Sequence, residues 1–163
     1  MKSDAALANG HLAPEASFHP VVAVIGVGYV GSHLVEAFAK FYEVIAFDIS
    51  KQRVEQITQQ FQELPVRVTS DASDLARADA FLISVPTSLN DDKTINTTAI
   101  EKAVQTVAEQ SRHGVTVVME SSVSVGMTRR FLGPLIATKN IKVGMSPEVC
   151  INLSTPPDLI EQS

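Results

Sequence analysis

From Pro20 onward, short apolar runs rich in β-branched residues alternate with stretches of helical period. The runs are VVAVIG (21–26), EVIAFD (43–48), VRVT (66–69), DAFLISV (79–85), VTVVMES (115–121) and IKVGMS (141–146). Between them lie amphipathic segments, including KQRVEQITQQF (51–61) and TTAIEKAVQTVAEQ (97–110). Runs this continuously apolar are expected to be buried on both faces, as parallel strands between helices are. The pattern predicts an α/β fold, a Rossmann-like doubly wound, mainly parallel sheet of about six strands in a single domain. The segment TSLNDDKTIN (87–96) is polar and turn-rich and reads as an exposed loop.

The first strand runs into G-x-G-x-x-G, with Gly26, Gly28 and Gly31, and a helix follows at once. That context gives each glycine a task. Gly26 permits a tight turn, Gly28 lets the backbone approach a pyrophosphate, and Gly31 lets helix and strand pack closely, while the helix start offers free N–H groups and a positive dipole end. Asp48 closes the second strand, where a carboxylate can accept both hydroxyls of the adenosine ribose and would repel a 2′-phosphate. The expected cofactor is therefore NAD rather than NADP. Lys51 and Arg53 open the next helix. Arg53 is a candidate to flank the adenine or ribose, against the plainer reading of both as a solvated helix face.

In an open parallel sheet, ligands lie beyond the carboxyl ends of the strands. The later strands end in VPTS (85–88), ESSVSVG (120–126) and MSPE (145–148). Pro86 and Pro147 can stop a strand and shape a backbone path, and Ser121 and Ser122 can offer hydroxyls to a cofactor.

Composition narrows the function without naming it. At 163 residues and 45% apolar content the chain can fill one core, and its net charge of −5 argues against nucleic acid or an anionic membrane as partner. A single cysteine, Cys150, leaves no internal disulfide framework, and no apolar run approaches a membrane span of about 20 residues. A cytoplasmic protein is expected. The four histidines His11, His19, His33 and His113 lack metal-ligand spacing, so no metal is expected. Residues 1–18 read as a mobile tail, residues 19–148 as the cofactor-binding domain and residues 149–163 as a divergent, disordered tail.

Taken in order, VIGVGYVG, VPTSLNDD, ESSVSVGMTR and GMSPE resemble the N-terminal NAD-binding domain of the UDP-glucose/GDP-mannose dehydrogenases, with a flavour close to the UDP-N-acetylmannosamine and UDP-glucose enzymes. The resemblance covers about Pro20 to Glu148. It implies oxidation of the C6 alcohol of a nucleotide sugar to the carboxylate by NAD. It places Gly26, Val27, Gly28, Tyr29, Val30 and Gly31 in the pyrophosphate loop, Asp48 on the ribose, and Pro86 and Thr87 beside the cofactor. Ser122 stands where the family has a threonine contacting cofactor and catalytic water, and Glu148 matches an acid/base glutamate. The family's cysteine nucleophile belongs to a second domain that would follow Glu148, and Cys150 lacks its glycine-rich, aspartate-followed setting. The chain is therefore expected to be truncated and inactive alone, taking a UDP-sugar only if a second domain is supplied, with exposed apolar surface open to self-association. The alternatives are an inert NAD-binding module or relic, and the cofactor domain of a β-hydroxyacid dehydrogenase. A short-chain reductase would need Tyr-x-x-x-Lys, and Tyr29 and Tyr42 are followed four positions on by His33 and Ala46.

Overall fold

The computed structural model describes residues 20–90 and 92–146. The elements are β1 (Val21–Ile25), α1 (Tyr29–Phe38), β2 (Glu43–Phe47), α2 (Lys51–Gln60), β3 (Val66–Thr69), a 3-10 helix (Ala72–Arg77), β4 (Ala80–Ile83), β5 (Ser88–Leu89), β6 (Ile95–Asn96), α3 (Thr98–Gln110), β7 (Thr116–Met119), α4 (Met127–Lys139) and β8 (Lys142–Met145). The main sheet has six strands in the order β3-β2-β1-β4-β7-β8, and every pairing in it is parallel. This is the doubly wound Rossmann-like arrangement that the apolar runs predict.

Alternation along the strands divides the core into two layers. Val22 and Val24 of β1, Val44 and Ala46 of β2 and Leu82 of β4 pack with Val35, Ile57 and Phe61 on the face that α1 and α2 cover. Their neighbours Ala23, Ile25, Ile45, Phe47, Phe81 and Ile83 pack on the opposite face with Ile100, Val104 and Val107 of α3 and Leu132 of α4. A strand with helices on both sides has no polar face, which explains the unbroken apolar runs of β1, β2 and β4. The edge strands differ: β8 is largely exposed, with only Gly144 half-buried, and β3 buries only Thr69 fully.

Residues 87–96 depart from the loop expected of them. Ser88↔Asn96 and Leu89↔Ile95 pair as a short antiparallel ladder, β5-β6. The turn is closed by Asn90, whose N–H and side-chain amide donate to Thr94, with Lys93 at φ +64. The turn-forming residues that made the segment look irregular are those that a tight hairpin uses.

The ladder continues beyond each central strand. Gly26 N–H donates to the Phe47 carbonyl at 2.9 Å, Ser84 N–H to the Ile25 carbonyl at 2.8 Å, and Glu120 and Ser121 N–H to the Ile83 carbonyl at 2.9 and 3.0 Å. The loops at the carboxyl ends of β1, β4 and β7 are thereby held in register with the sheet. From β1 the chain winds to β2 and β3 on one side and to β4, β7 and β8 on the other. The crevice between the ends of β1 and β4 is thus the topological switch point, where ligands of such sheets bind.

Candidate functional site: a dinucleotide crevice at the switch point

The three glycines divide their work as the motif requires. Gly26 has φ +87, and a Cβ there would lie 2.5 Å from the Ser84 carbonyl oxygen, so both its conformation and its neighbour demand glycine. A Cβ at Gly31 would overlap the Gly26 carbonyl oxygen, so Gly31 is the packing contact between α1 and the turn. Gly28 has nothing within 4 Å of its absent Cβ. It borders open space on both sides, where a ligand can lie against the backbone. The start of α1 has neither a capping side chain nor an acidic residue in its first turn, which leaves its N–H groups and dipole available to an anion.

Two clefts flank this turn and share Gly28, Val85 and Pro86. The first, about 300 Å³, lies between β1, β2 and α3 and includes Asp48, Ile49, Ala99, Lys102, Ala103 and Thr106. Its wall is mostly apolar, with Asp48 on one side and Lys102 on the other. The second, about 310 Å³, lies between the α1 start and the ends of β4 and β7, and includes Tyr29, Val30, Thr87, Glu120, Ser121 and Ser122. A flat apolar slot beside a carboxylate suits an adenosine, the glycine turn a pyrophosphate, and the more polar second cleft a second ribose and its base.

Asp48 is fixed from two sides. Its Oδ2 accepts the Val27 N–H at 3.0 Å and its Oδ1 the Ser50 N–H at 2.9 Å. Each carboxylate oxygen has a further lone pair, so the group can still accept ribose hydroxyls. Ser50 in turn caps α2, its Oγ accepting the Arg53 N–H at 3.3 Å.

Three side chains do something other than the sequence suggests. Arg53 is not part of a solvated helix face: its Nε donates to the Val27 carbonyl at 2.6 Å and its Nη2 to Ser32 Oγ at 3.0 Å. Lys51 is exposed, as a solvated helix face requires. Val27 packs its side chain fully into the core beneath α1 and α2, so it meets the crevice with no side-chain atom. Ser121 is buried, and its hydroxyl accepts the Val85 N–H at 2.9 Å and donates to the Val85 carbonyl at 2.7 Å. Its one proton holds the segment after β4 in place instead of pointing at a ligand. Ser122 is exposed at the rim of the second cleft, and Tyr29 is exposed with its ring edge-on to His33 at 4.7 Å. Glu148, Pro147 and Cys150 lie outside the described residues.

The residues of α3 that wall the first cleft escaped the sequence reading. Ala99, Lys102, Ala103 and Thr106 recur at i, i+3, i+4 and i+7, so they share one helix face. The small residues on that face were the available signal: a core-facing helix of bulky side chains would have left no slot.

Sheet order, glycine turn and the carboxylate at the end of β2 together define a dinucleotide-binding α/β domain. Residues 21–162 match the model of the UDP-glucose/GDP-mannose dehydrogenase family, NAD binding domain. The chain belongs to that family, and its cofactor is NAD. It is 31% identical over 146 residues to a UDP-N-acetyl-D-glucosamine 6-dehydrogenase of Salmonella typhi, which covers 78% of this chain and 34% of the relative. Protein CapL of Staphylococcus aureus is 30% identical over 145 residues, again 78% of this chain and 34% of the relative. Among solved structures, a UDP-D-ManNAc dehydrogenase from Pyrococcus horikoshii superposes with a TM-score of 0.73 at 25% identity, covering 80% of this chain and 37% of that one. The chain thus spans about a third of the length of the curated relatives it matches (34% of each of these two).

Proposed function

We propose that this chain is the cofactor half of a nucleotide-sugar 6-dehydrogenase, holding NAD while the C6 alcohol of a UDP-sugar is oxidised to the carboxylate. The observation that supports this reading best is the pair of clefts meeting at Gly28, one bearing Asp48 and the other Ser122 and the start of α1. NAD, when bound, supplies the hydride acceptor for each of two oxidation steps. The residues of this chain orient it. Asp48 accepts the adenosine ribose hydroxyls, and its negative charge disfavours a 2′-phosphate. Gly28, Tyr29 and Val30 present the N-terminal backbone of α1 to the pyrophosphate. Ile49 and the α3 face enclose the adenine, and Pro86 and Thr87 border the second cleft.

In this reading Ser122 orients the water that hydrolyses the oxidised intermediate, and Glu148 moves its proton. The Ser146 N–H donates to the Met119 carbonyl at 3.0 Å, so the chain leaves β8 at the carboxyl end of the sheet, two residues before Glu148. The cysteine nucleophile and the sugar contacts would come from the part of the family's length that this chain does not span. Among the described residues no helix is long and apolar enough to cross a membrane. We place the protein in the cytoplasm, with self-association through exposed apolar residues such as Val125 and Met145, which border one shallow cleft beside α4.

Calorimetric titration of the chain with NAD and with NADP, followed by addition of UDP-glucose while NADH absorbance is recorded, tests the reading. Selective NAD binding without turnover is expected, and a polypeptide carrying the remainder of a family member should then restore NADH production. No NAD binding would overturn the proposal, and turnover by the chain alone would overturn its division of labour.

A further inference from the structure

The residue after Gly26 is held by two side chains from beyond β2. Asp48 Oδ2 takes the Val27 N–H at 3.0 Å, and Arg53 Nε gives to the Val27 carbonyl at 2.6 Å. The same guanidinium reaches Ser32 Oγ at 3.0 Å, in the first turn of α1. The Val27 side chain is fully buried, so neither contact can be replaced by a shift of the residue as a whole. Among the described residues Asp48 and Arg53 form no ion pair with each other; their side chains meet at the backbone of Val27, and Ser50 bridges the Asp48 carboxylate to the Arg53 N–H.

A trans peptide is planar, with its carbonyl and the following N–H pointing in opposite directions. No peptide bond among the described residues is cis. Holding the Val27 carbonyl therefore sets the direction of the Gly28 N–H, which points away from Arg53. Gly28 lies where the two clefts meet, and glycine offers no side chain to restrain its own backbone. Without Arg53 the Val27–Gly28 peptide keeps its neighbours' restraints, the Asp48 bond to the Val27 N–H and the Ser32 N–H bond to the Gly28 carbonyl. It loses the one that fixes the Val27 carbonyl, at the point where the pyrophosphate would lie.

We propose that Arg53 is a positioning residue for the cofactor: through the Val27 carbonyl and Ser32 it presents the Gly28 N–H and the start of α1 to the pyrophosphate. The inference rests on the NAD-binding reading of the crevice. It differs from a direct charge contact in requiring the planar fork of arginine, which reaches two acceptors at once, where a lysine ammonium is a single point of charge.

The test uses the full 163-residue chain. Affinities for NAD, ADP-ribose and adenosine are measured for the unsubstituted chain, R53A, R53K and S32A, each with its thermal midpoint. R53A is expected to weaken NAD and ADP-ribose by about tenfold or more, the scale of losing a charged hydrogen bond. Adenosine, which lacks the pyrophosphate, should bind R53A as it binds the unsubstituted chain. R53K should fail to restore NAD affinity, and S32A, which keeps the Val27 contact, should show a smaller loss with the same ligand selectivity. Equal NAD affinity in R53A, an equal loss for adenosine, or full recovery in R53K would each overturn the inference. If R53A fails to fold, S32A decides, and unchanged NAD affinity there overturns it. If the unsubstituted chain binds neither NAD nor ADP-ribose, the cofactor reading itself fails and this inference falls with it.

Discussion

Asp48 Oδ2 accepts the N–H of Val27 at 3.0 Å, tying the end of β2 to the glycine turn that follows β1. One carboxylate thus shapes the glycine turn and lines the first cleft beside it. Asp48→Ala should cost NAD about 1–3 kcal/mol of binding, the range for leaving hydrogen-bonding groups without partners. Asp48→Asn removes the charge and keeps an acceptor, so its discrimination against NADP should narrow more than its affinity for NAD falls. Paired calorimetric titrations with the two cofactors separate these effects, and unchanged NAD affinity in Asp48→Ala would remove the residue from the ribose site.

The glycines supply a second test because their surroundings differ so sharply. A methyl at Gly31 meets the Gly26 carbonyl and one at Gly26 meets the Ser84 carbonyl in a positive-φ turn, whereas one at Gly28 meets nothing within 4 Å. Gly31→Ala and Gly26→Ala should therefore lower the thermal midpoint or prevent folding. Gly28→Ala should melt within a few degrees of the parent and yet bind NAD at least about tenfold more weakly, since its methyl occupies the space of the pyrophosphate. A Gly28→Ala chain that binds NAD normally would show that the ligand does not lie against this backbone.

Much of this arrangement is local, and for that reason it could be read from the chain. Buried parallel strands must be apolar on both faces, so β1, β2 and β4 stand out as unbroken runs. The glycine spacing follows from sterics within a few residues: Gly26 makes the positive-φ turn, Gly31 the close packing contact, and Gly28 has nothing within 4 Å of where its Cβ would be. What stayed hidden depends on which elements pack together. Nothing near Arg53 in sequence tells that it turns back to Val27 and Ser32, and nothing near Ser121 tells that its hydroxyl bonds Val85 across the β4–β7 boundary. The edge strands also mislead: β8 reads as apolar, yet Val143 and Met145 are exposed. An edge strand's sequence does not state whether its outer side is covered.

The α3 wall of the first cleft can be closed by a single side chain. Ala99 is half-buried and borders the slot of about 300 Å³ beside Asp48 and Ile49. Ala99→Phe adds a ring toward that space without removing any core contact. It should leave the thermal midpoint near that of the parent while weakening NAD and adenosine alike, in contrast to R53A, which should spare adenosine. If it leaves both affinities unchanged, the adenine lies elsewhere.

Stability in acid should depend on a pair remote from the crevice. Arg67 Nη2 lies 2.6 Å from Asp74 Oδ1, joining β3 to the 3-10 helix. The hydrogen bond from Arg67, followed by that from Thr69, holds the Asp74 carboxyl below its ordinary value. A carboxyl whose pKa is lowered in the folded state binds fewer protons there than in the unfolded chain. Its contribution is therefore full above the ordinary aspartate value of about 4 and is lost as pH falls through the lower, folded value. Arg67 is more than half exposed, so solvent screening keeps the effect small. Asp74→Asn should lower stability slightly at neutral pH and reduce the difference between neutral pH and about pH 3, because the variant has no carboxyl there to take up a proton. Denaturant midpoints for both chains at the two pH values measure it; parallel acid losses in parent and variant would show that other carboxylates carry the acid sensitivity.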